Sequence, residues 1–447
     1  MKSNVRLRLI VIVIIMIICS VTCQADSQKP VKKVLENGLT VVVKSEPGSG
    51  LVAIAAMVKV GVGQESIQTA GLGNFVSRLL LASTRAKSAE QVASIADSLG
   101  GNIGTEWERD LTSIRTVTTT AGFDRTMNLI GECLAEANFE YKWVEQVRKD
   151  LLSYIKSQSS DPFDQAYADL KQLLYEDNGY RRPKDVSERA ISLAAPQDLQ
   201  RYFSQHYPPN NIVLAIVGDV TAEKAIERAG RAFAGVMPRR LPIDRSVPDE
   251  RLRENKSNMF EKKLSAAYLL VGWQAPAAGD RDYAAVAVAA NALGGGKGSL
   301  MFRELRQKQG LGYEIGALYP KLRYQSHVVA YLVTDPYKKS AAEPRQTLDA
   351  ASAELMKLVE ELKSKPLSGE DLQRAKGYTI GAYALGHQHL LERAALLGWA
   401  ETIELGYEFD KNYPDLIDSV TAADVQRVMQ KYFTKSASVM LVPSAKE

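Results

Sequence analysis

The chain has 447 residues, of which 45% are hydrophobic and 24% charged, with a formal net charge of +4 at neutral pH. That length exceeds one compact core and predicts two domains of roughly 200 residues each. The positive excess is too small for an electrostatic footprint on nucleic acid, which is excluded as a partner class.

The first predicted element is a targeting segment. Lys2, Arg6 and Arg8 precede an apolar run over residues 9–19, and Ser20-Val21-Thr22-Cys23-Gln24-Ala25 follows. A run of about ten apolar residues is too short to span a bilayer, so residues 1–25 are expected to be a signal peptide cut after Ala25, with export to the periplasm. The alternative is an uncleaved anchor through residues 9–19, and a membrane is a partner only in that case. Cleavage would remove Lys2, Arg6 and Arg8 but no acid, taking the charge from +4 to +1. Of the three cysteines, Cys133 alone lies beyond this segment, in an apolar helical pattern. An internal disulfide is thereby excluded, and a buried thiol is expected.

Residues 26–236 read as the first domain. Two β-rich runs flank Asn37-Gly38, the signature of a hairpin. A largely apolar strand follows at 51–60, then helical periodicity at 72–81 and 89–99. Residues 111–119 are β-branched and alternating, hence strand; 123–136 and 142–158 are helical, and Asp161-Pro162 opens another helix to about Tyr175. Tyr207-Pro208-Pro209-Asn210-Asn211 is a turn into a strand at 212–217, and Thr221 is the N-cap of a helix from Ala222. Residues 237–262 are rich in charge and proline and read as an interdomain linker. In the second domain, 263–447, the order recurs: strand at 266–273, helices at 284–293 and 300–307, strand at 328–333, and a helix-then-strand ending over 421–442. The two halves therefore read as copies of one α+β unit.

Several chemistry-bearing residues have a plain structural reading. Gly294-Gly295-Gly296-Lys297-Gly298-Ser299 is not a phosphate loop, because Gly298 separates the lysine from the serine. His387 and His389 stand two apart and would diverge on a helix; with His206 and His327 they are read as surface or packing residues. Glu106, Glu108 and Asp110 are read as a solvated loop.

The hairpin Leu35-Glu36-Asn37-Gly38-Leu39-Thr40, the lead-in Thr69-Ala70-Gly71-Leu72, Val217-Gly218-Asp219-Val220 and the stretch Phe302-Arg303-Glu304-Leu305-Arg306-Gln307-Lys308-Gln309-Gly310-Leu311-Gly312-Tyr313 together resemble the insulinase/pitrilysin family of zinc peptidases. The similarity spans nearly the whole chain after the signal segment and is strongest with the short, two-domain branch that includes mitochondrial processing peptidase. It implies an α+β fold of two homologous domains, each a mainly antiparallel sheet covered by helices on one face. The family's zinc helix carries His-x-x-Glu-His, two imidazoles one turn apart with a carboxylate to activate water. Here Asn74 and Arg78 stand at the histidine positions and Ser77 at the glutamate. A later helix supplies a third ligand, a glutamate, where this chain has Tyr154. No metal is therefore expected in this chain.

Active members pair the zinc site with an arginine and a tyrosine seven residues apart, and Arg306 and Tyr313 match that spacing. The resemblance implies that a guanidinium holds the substrate carbonyl and a phenol stabilises the developing oxyanion. The expectation is a non-zinc subunit that lends Arg306 and Tyr313 to a zinc-bearing homologous partner hydrolysing peptides. Peptide would bind as an added strand on the partner's sheet edge. A structural scaffold subunit and a peptide-binding, chaperone-like homodimer are the alternatives.

Overall fold

A computed structural model describes residues 29–66, 69–100, 103–158, 161–182, 188–242, 249–336 and 344–444. The expected signal segment lies outside the described residues. The first half runs β1 (Val31–Val34), β2 (Thr40–Ser45), β3 (Leu51–Val58), α1 (Leu72–Leu79), α2 (Ala89–Ser98), β4 (Gly104–Trp107), β5 (Thr112–Thr119), α3 (Phe123–Glu136), α4 (Tyr141–Gln158), α5 (Pro162–Leu174), α6 (Glu188–Leu193), α7 (Pro196–His206), β6 (Ile212–Gly218) and α8 (Ala222–Ala232). The second half runs β7 (Lys256–Lys262), β8 (Ala267–Ala275), α9 (Tyr283–Gly294), β9 (Glu314–Leu318), β10 (Ser326–Thr334), α10 (Pro344–Ser364), α11 (Gly369–Leu385), α12 (Leu390–Thr402), α13 (Phe409–Asp418), α14 (Ala422–Tyr432) and β11 (Ala437–Pro443).

The strands form two sheets with the orders β1-β2-β6-β3-β5-β4 and β7-β11-β8-β10-β9. Apart from β1, these orders superimpose strand for strand: β2 on β7, β6 on β11, β3 on β8, β5 on β10, β4 on β9. The pairing sense matches as well. β2–β6 and β7–β11 are parallel, and the remaining pairs are antiparallel. One α+β unit is present twice.

Each sheet is covered on both faces, not on one as expected, and the second cover comes from the opposite half of the chain. One face of the first sheet (Val41, Val43, Ile54, Leu214 and Ile216) packs on its own helices; the other (Val42, Ala53, Ala55, Met57, Ala215) packs on Ala394 and Leu397 of α12. The second sheet is treated alike. Leu269, Val271 and Val328 face its own helices, while Leu270, Val329 and Val439 receive Ala166, Leu170 and Leu174 of α5. This exchange explains why β3 is apolar almost throughout: a strand buried on both faces has no polar face to alternate. Both crossings are tight. A Cβ on Gly398 of α12 would lie 3.0 Å from Ala215 Cβ and Met57 Sδ, and one on Gly272 of β8 would lie 3.0 Å from the methyls of Leu170 and Leu174.

The expected linker over 237–262 is shorter than its composition suggested. Its last residues, Lys256–Lys262, are β7, the edge strand that pairs in parallel with β11. An edge strand tolerates charged and exposed side chains, which is what Lys256, Glu261 and Lys262 supply.

Candidate functional site

The helix α1 begins in a way that leaves no room for side chains. Gly71, its N-cap, has φ +96°, and the carboxylate of Glu65 accepts the N–H groups of Gly71 at 3.0 Å and Gly73 at 2.8 Å. A Cβ on Gly73 would stand 2.0 Å from the Trp107 ring and 2.6 Å from the Tyr202 hydroxyl. Phe75, Val76 and Leu79 then anchor the helix in the core, and α4 packs beside it.

Within this frame the structure brings Asn74, Arg78 and Tyr154 together. Asn74 is buried, and its Oδ1 accepts from Arg78 Nε at 3.2 Å. The Arg78 guanidinium lies 5.0 Å from the centre of the Tyr154 ring on α4. Ser77, also buried, turns its hydroxyl back to the Asn74 carbonyl at 2.7 Å. These side chains do not fit zinc. The one amide oxygen of Asn74 already accepts from a cation, Arg78 offers only donors and a fixed positive charge, and Ser77 is committed to its own helix. A guanidinium seated on an aromatic face supplies the positive charge here.

Glu65 was not singled out by sequence reasoning, although an acid just ahead of a glycine-rich helix start is the signal for it. Its carboxyl is 5% exposed, and burial pushes its pKa up to about 7 against the opposing pull of the two N–H groups and Arg182. Arg182 is spent on backbone, donating to the carbonyls of Val62 and Glu65.

Arg306 and Tyr313 sit at the opposite end of the chain. Residues 302–307 form a π-turn, with Lys308 N–H reaching Arg303 O at 3.1 Å, an irregularity frequent at functional sites. Arg306 is exposed, its guanidinium 5.0 Å from the Phe302 ring centre. Gly312 has φ +72° and is wedged against Leu332 and Ile315, so the chain turns sharply into β9 and presents Tyr313 to solvent. The Tyr313 N–H is pinned to Val333 O at 2.9 Å, while its side chain is 53% exposed. Both side chains line one open depression of about 800 Å³. An arginine and a phenol on a common wall can bind a carbonyl or carboxylate and donate to a developing negative charge.

The other sequence candidates are dispersed. The loop read as solvated is only partly so: Glu106 and Glu108 pair with Arg115, but Asp110 is buried. Asp110 accepts from the Tyr180 hydroxyl and from Arg323 N–H at 3.1 Å, joining the two halves, and burial pushes its carboxyl up to about 6. His327 is fully buried between the Tyr167 hydroxyl at 2.6 Å and the Tyr175 hydroxyl at 2.7 Å, where α5 crosses the second sheet. His206, against Tyr202, is pushed down to about 4 by burial. His387 bonds Tyr383 O at 2.8 Å and Asp410, in the turn after α11. Gly296, with φ +71°, belongs to a turn packed under Tyr378. Cys133 is buried, its thiol pushed up to about 12.

Residues 40–184 match the profile of insulinase (peptidase family M16), and residues 194–378 that of the peptidase M16 inactive domain, which contains Arg306 and Tyr313. An uncharacterized zinc protease of Streptomyces coelicolor is 23% identical over 421 residues, covering 92% of this chain and 89% of that protein. One of Bacillus subtilis is 20% identical, covering 91% and 96%. Among solved structures, a peptidase M16 inactive domain from Pseudomonas fluorescens aligns with TM-score 0.83 at 19% identity, covering 94% of this chain and all of that one. A protease from Helicobacter pylori aligns with TM-score 0.81 at 20% identity, covering 93% of this chain and 100% of that one. With both family profiles matched in order along a duplicated α+β fold, the chain belongs to the insulinase family of peptidases, family M16.

Proposed function

We propose that this chain is the non-zinc subunit of a two-subunit M16 peptidase, exported to the periplasm, and that it completes the active site of a zinc-bearing homologous partner. The observation that carries this reading is the contrast between the two ends of the chain. At one, every position that would hold or serve the metal carries a side chain unable to do so, and Arg78 lies on the face of Tyr154. At the other, Arg306 and Tyr313 stand on an exposed wall, and no metal-binding cluster of this chain faces them among the described residues.

A metal in the partner would supply the activated water. This chain's part is to grip and polarise: the Arg306 guanidinium holds the substrate carbonyl with two donors, and the Tyr313 hydroxyl donates to the oxygen that gains charge. Neither residue acts alone, since the substrate bond lies between the subunits. Peptide is held as an added strand on the partner's sheet edge.

The test is co-expression with the homologous chain that keeps His-x-x-Glu-His, followed by assays of each chain and of the pair on a quenched fluorescent peptide library. Zinc-dependent cleavage by the pair, and by neither chain alone, is the expected result. Cleavage by this chain alone with stoichiometric metal would overturn the reading. Assembly without any cleavage would favour a scaffold role.

A further inference from the structure

Where the two halves meet, the β4–β5 loop of the first and the β9–β10 loop of the second border an open cavity of about 460 Å³. These loops occupy equivalent places in the duplicated unit. The cavity is unrelated to the Arg306–Tyr313 wall and to the Arg78 cluster, sharing no residue with either.

Three cations and three acids line it, but they are not equally engaged. Arg115 is held by Glu106 at 2.9 Å and by Glu108. Asp110 accepts from Tyr180 and from the backbone of Arg323. That leaves Arg109 and Lys321, one from each half, and neither has a carboxylate within ion-pair distance among the described residues. Arg109 Nη1 is buried and lacks any hydrogen-bond partner among the described residues. Arg115 Nε, on the same cavity, is likewise buried without a partner among the described residues, and a bound group is one way to satisfy such nitrogens.

Lys321 stands in an aromatic cage, its Nζ 4.5 Å from the Tyr383 ring centre, 5.0 Å from Tyr413 and 5.8 Å from Trp399. Ring faces attract the ammonium but accept no conventional hydrogen bond from it. Asp410 lies behind this cage and is bonded to Tyr383 at 2.8 Å and to His387. Burial lowers the Lys321 amine to about 8, so an anion in the cavity would gain a partner whose charge is under-compensated. The remaining wall is apolar: Leu111, Leu322, Pro320 and the Trp399 indole.

We propose that this interdomain cavity binds an organic carboxylate, its charged end held between Arg109 and Lys321 and its apolar body against Trp399 and Leu322. The volume suits a ligand of one to three residues' size, within the range of small-molecule sites. Because its two cations belong to different halves, an occupant ties the halves together. Two sources present this chemistry, a small free acid and the C-terminal residue of a peptide.

The test is calorimetric titration of the full chain with N-acetyl-leucine, N-acetyl-leucinamide, acetyl-Ala-Ala-Leu and inorganic phosphate. N-acetyl-leucine binding at least tenfold more tightly than its amide is expected. Tighter binding of acetyl-Ala-Ala-Leu than of N-acetyl-leucine identifies a peptide terminus, and equal or weaker binding a free acid. Arg109→Gln and Lys321→Met should each weaken the acid at least tenfold without changing the amide, and the acid-to-amide comparison on the unmodified chain stands even if a variant misfolds. Equal affinity for acid and amide, binding of neither, or phosphate binding as well as N-acetyl-leucine would overturn the proposal.

Discussion

The guanidinium of Arg78 rests 5.0 Å from the centre of the Tyr154 ring, joining two helices of the first half. Asn74 completes the contact through its Oδ1, 3.2 Å from Arg78 Nε. A fixed organic cation on an aromatic face thus links α1 to α4, which pack side by side.

That contact has a measurable coupling. A double-mutant cycle on Arg78→Ala and Tyr154→Leu, read by urea unfolding, should give an interaction energy of about 0.5–1 kcal/mol, the range for a cation–π pair with an exposed cation. A coupling of zero would mean that the two side chains only share the space.

Glu65 should make stability pH-dependent in the direction opposite to most acids. Its native carboxyl titrates near 7 and its reference value is 4.5, so the folded state holds the proton more tightly. The resulting stabilisation is fully present below pH 4.5 and is lost as pH rises through 7, amounting to about 3 kcal/mol. Glu65→Gln removes the titration. The unfolding free energy of the variant relative to the parent should therefore rise by up to about 3 kcal/mol between pH 5 and pH 8. A difference that stays constant over that range would contradict the assignment.

The exchange of α5 and α12 between the halves can be probed with two glycines on helices of the second half. Gly398 has sheet atoms 3.0 Å from its missing Cβ, whereas Gly377, exposed on α11, has nothing within 4 Å. Gly398→Val should cost about 1–3 kcal/mol by overpacking the crossing. Gly377→Ala should add about 0.5–1 kcal/mol, because alanine suits a helix interior and meets no obstacle. Thermal melts of both variants decide it, and equal effects would mean that α12 is not seated tightly on β3 and β6.

Much of the scaffold was legible in the sequence because local chemistry sets it. Asn37-Gly38 makes the β1–β2 turn, Thr221 caps α8 through Lys224 N–H, and the apolar run of β3 announces a strand buried on both sides. What covers the second face of β3 was not legible, since α12 is more than 300 residues away and its approach depends on Gly398. The strand β7 was hidden by its charges, which an edge strand carries without cost to the core. At the candidate site, spacing singled out Asn74, Ser77, Arg78 and Tyr154, which the fold brings into contact. The stacking of Arg78 on Tyr154, the burial of Glu65 and the bond from Tyr180 to Asp110 each depend on neighbours that only the fold supplies.

The proposed division of labour between two subunits rests on Tyr313. The decisive measurement is the turnover number of the reconstituted pair, this chain carrying Tyr313→Phe and the zinc-bearing partner unchanged, with assembly checked by size-exclusion chromatography. Loss of a donor to the developing oxyanion should lower kcat by about 10²-fold or more, with the complex intact. An unchanged kcat in an intact complex would contradict the account.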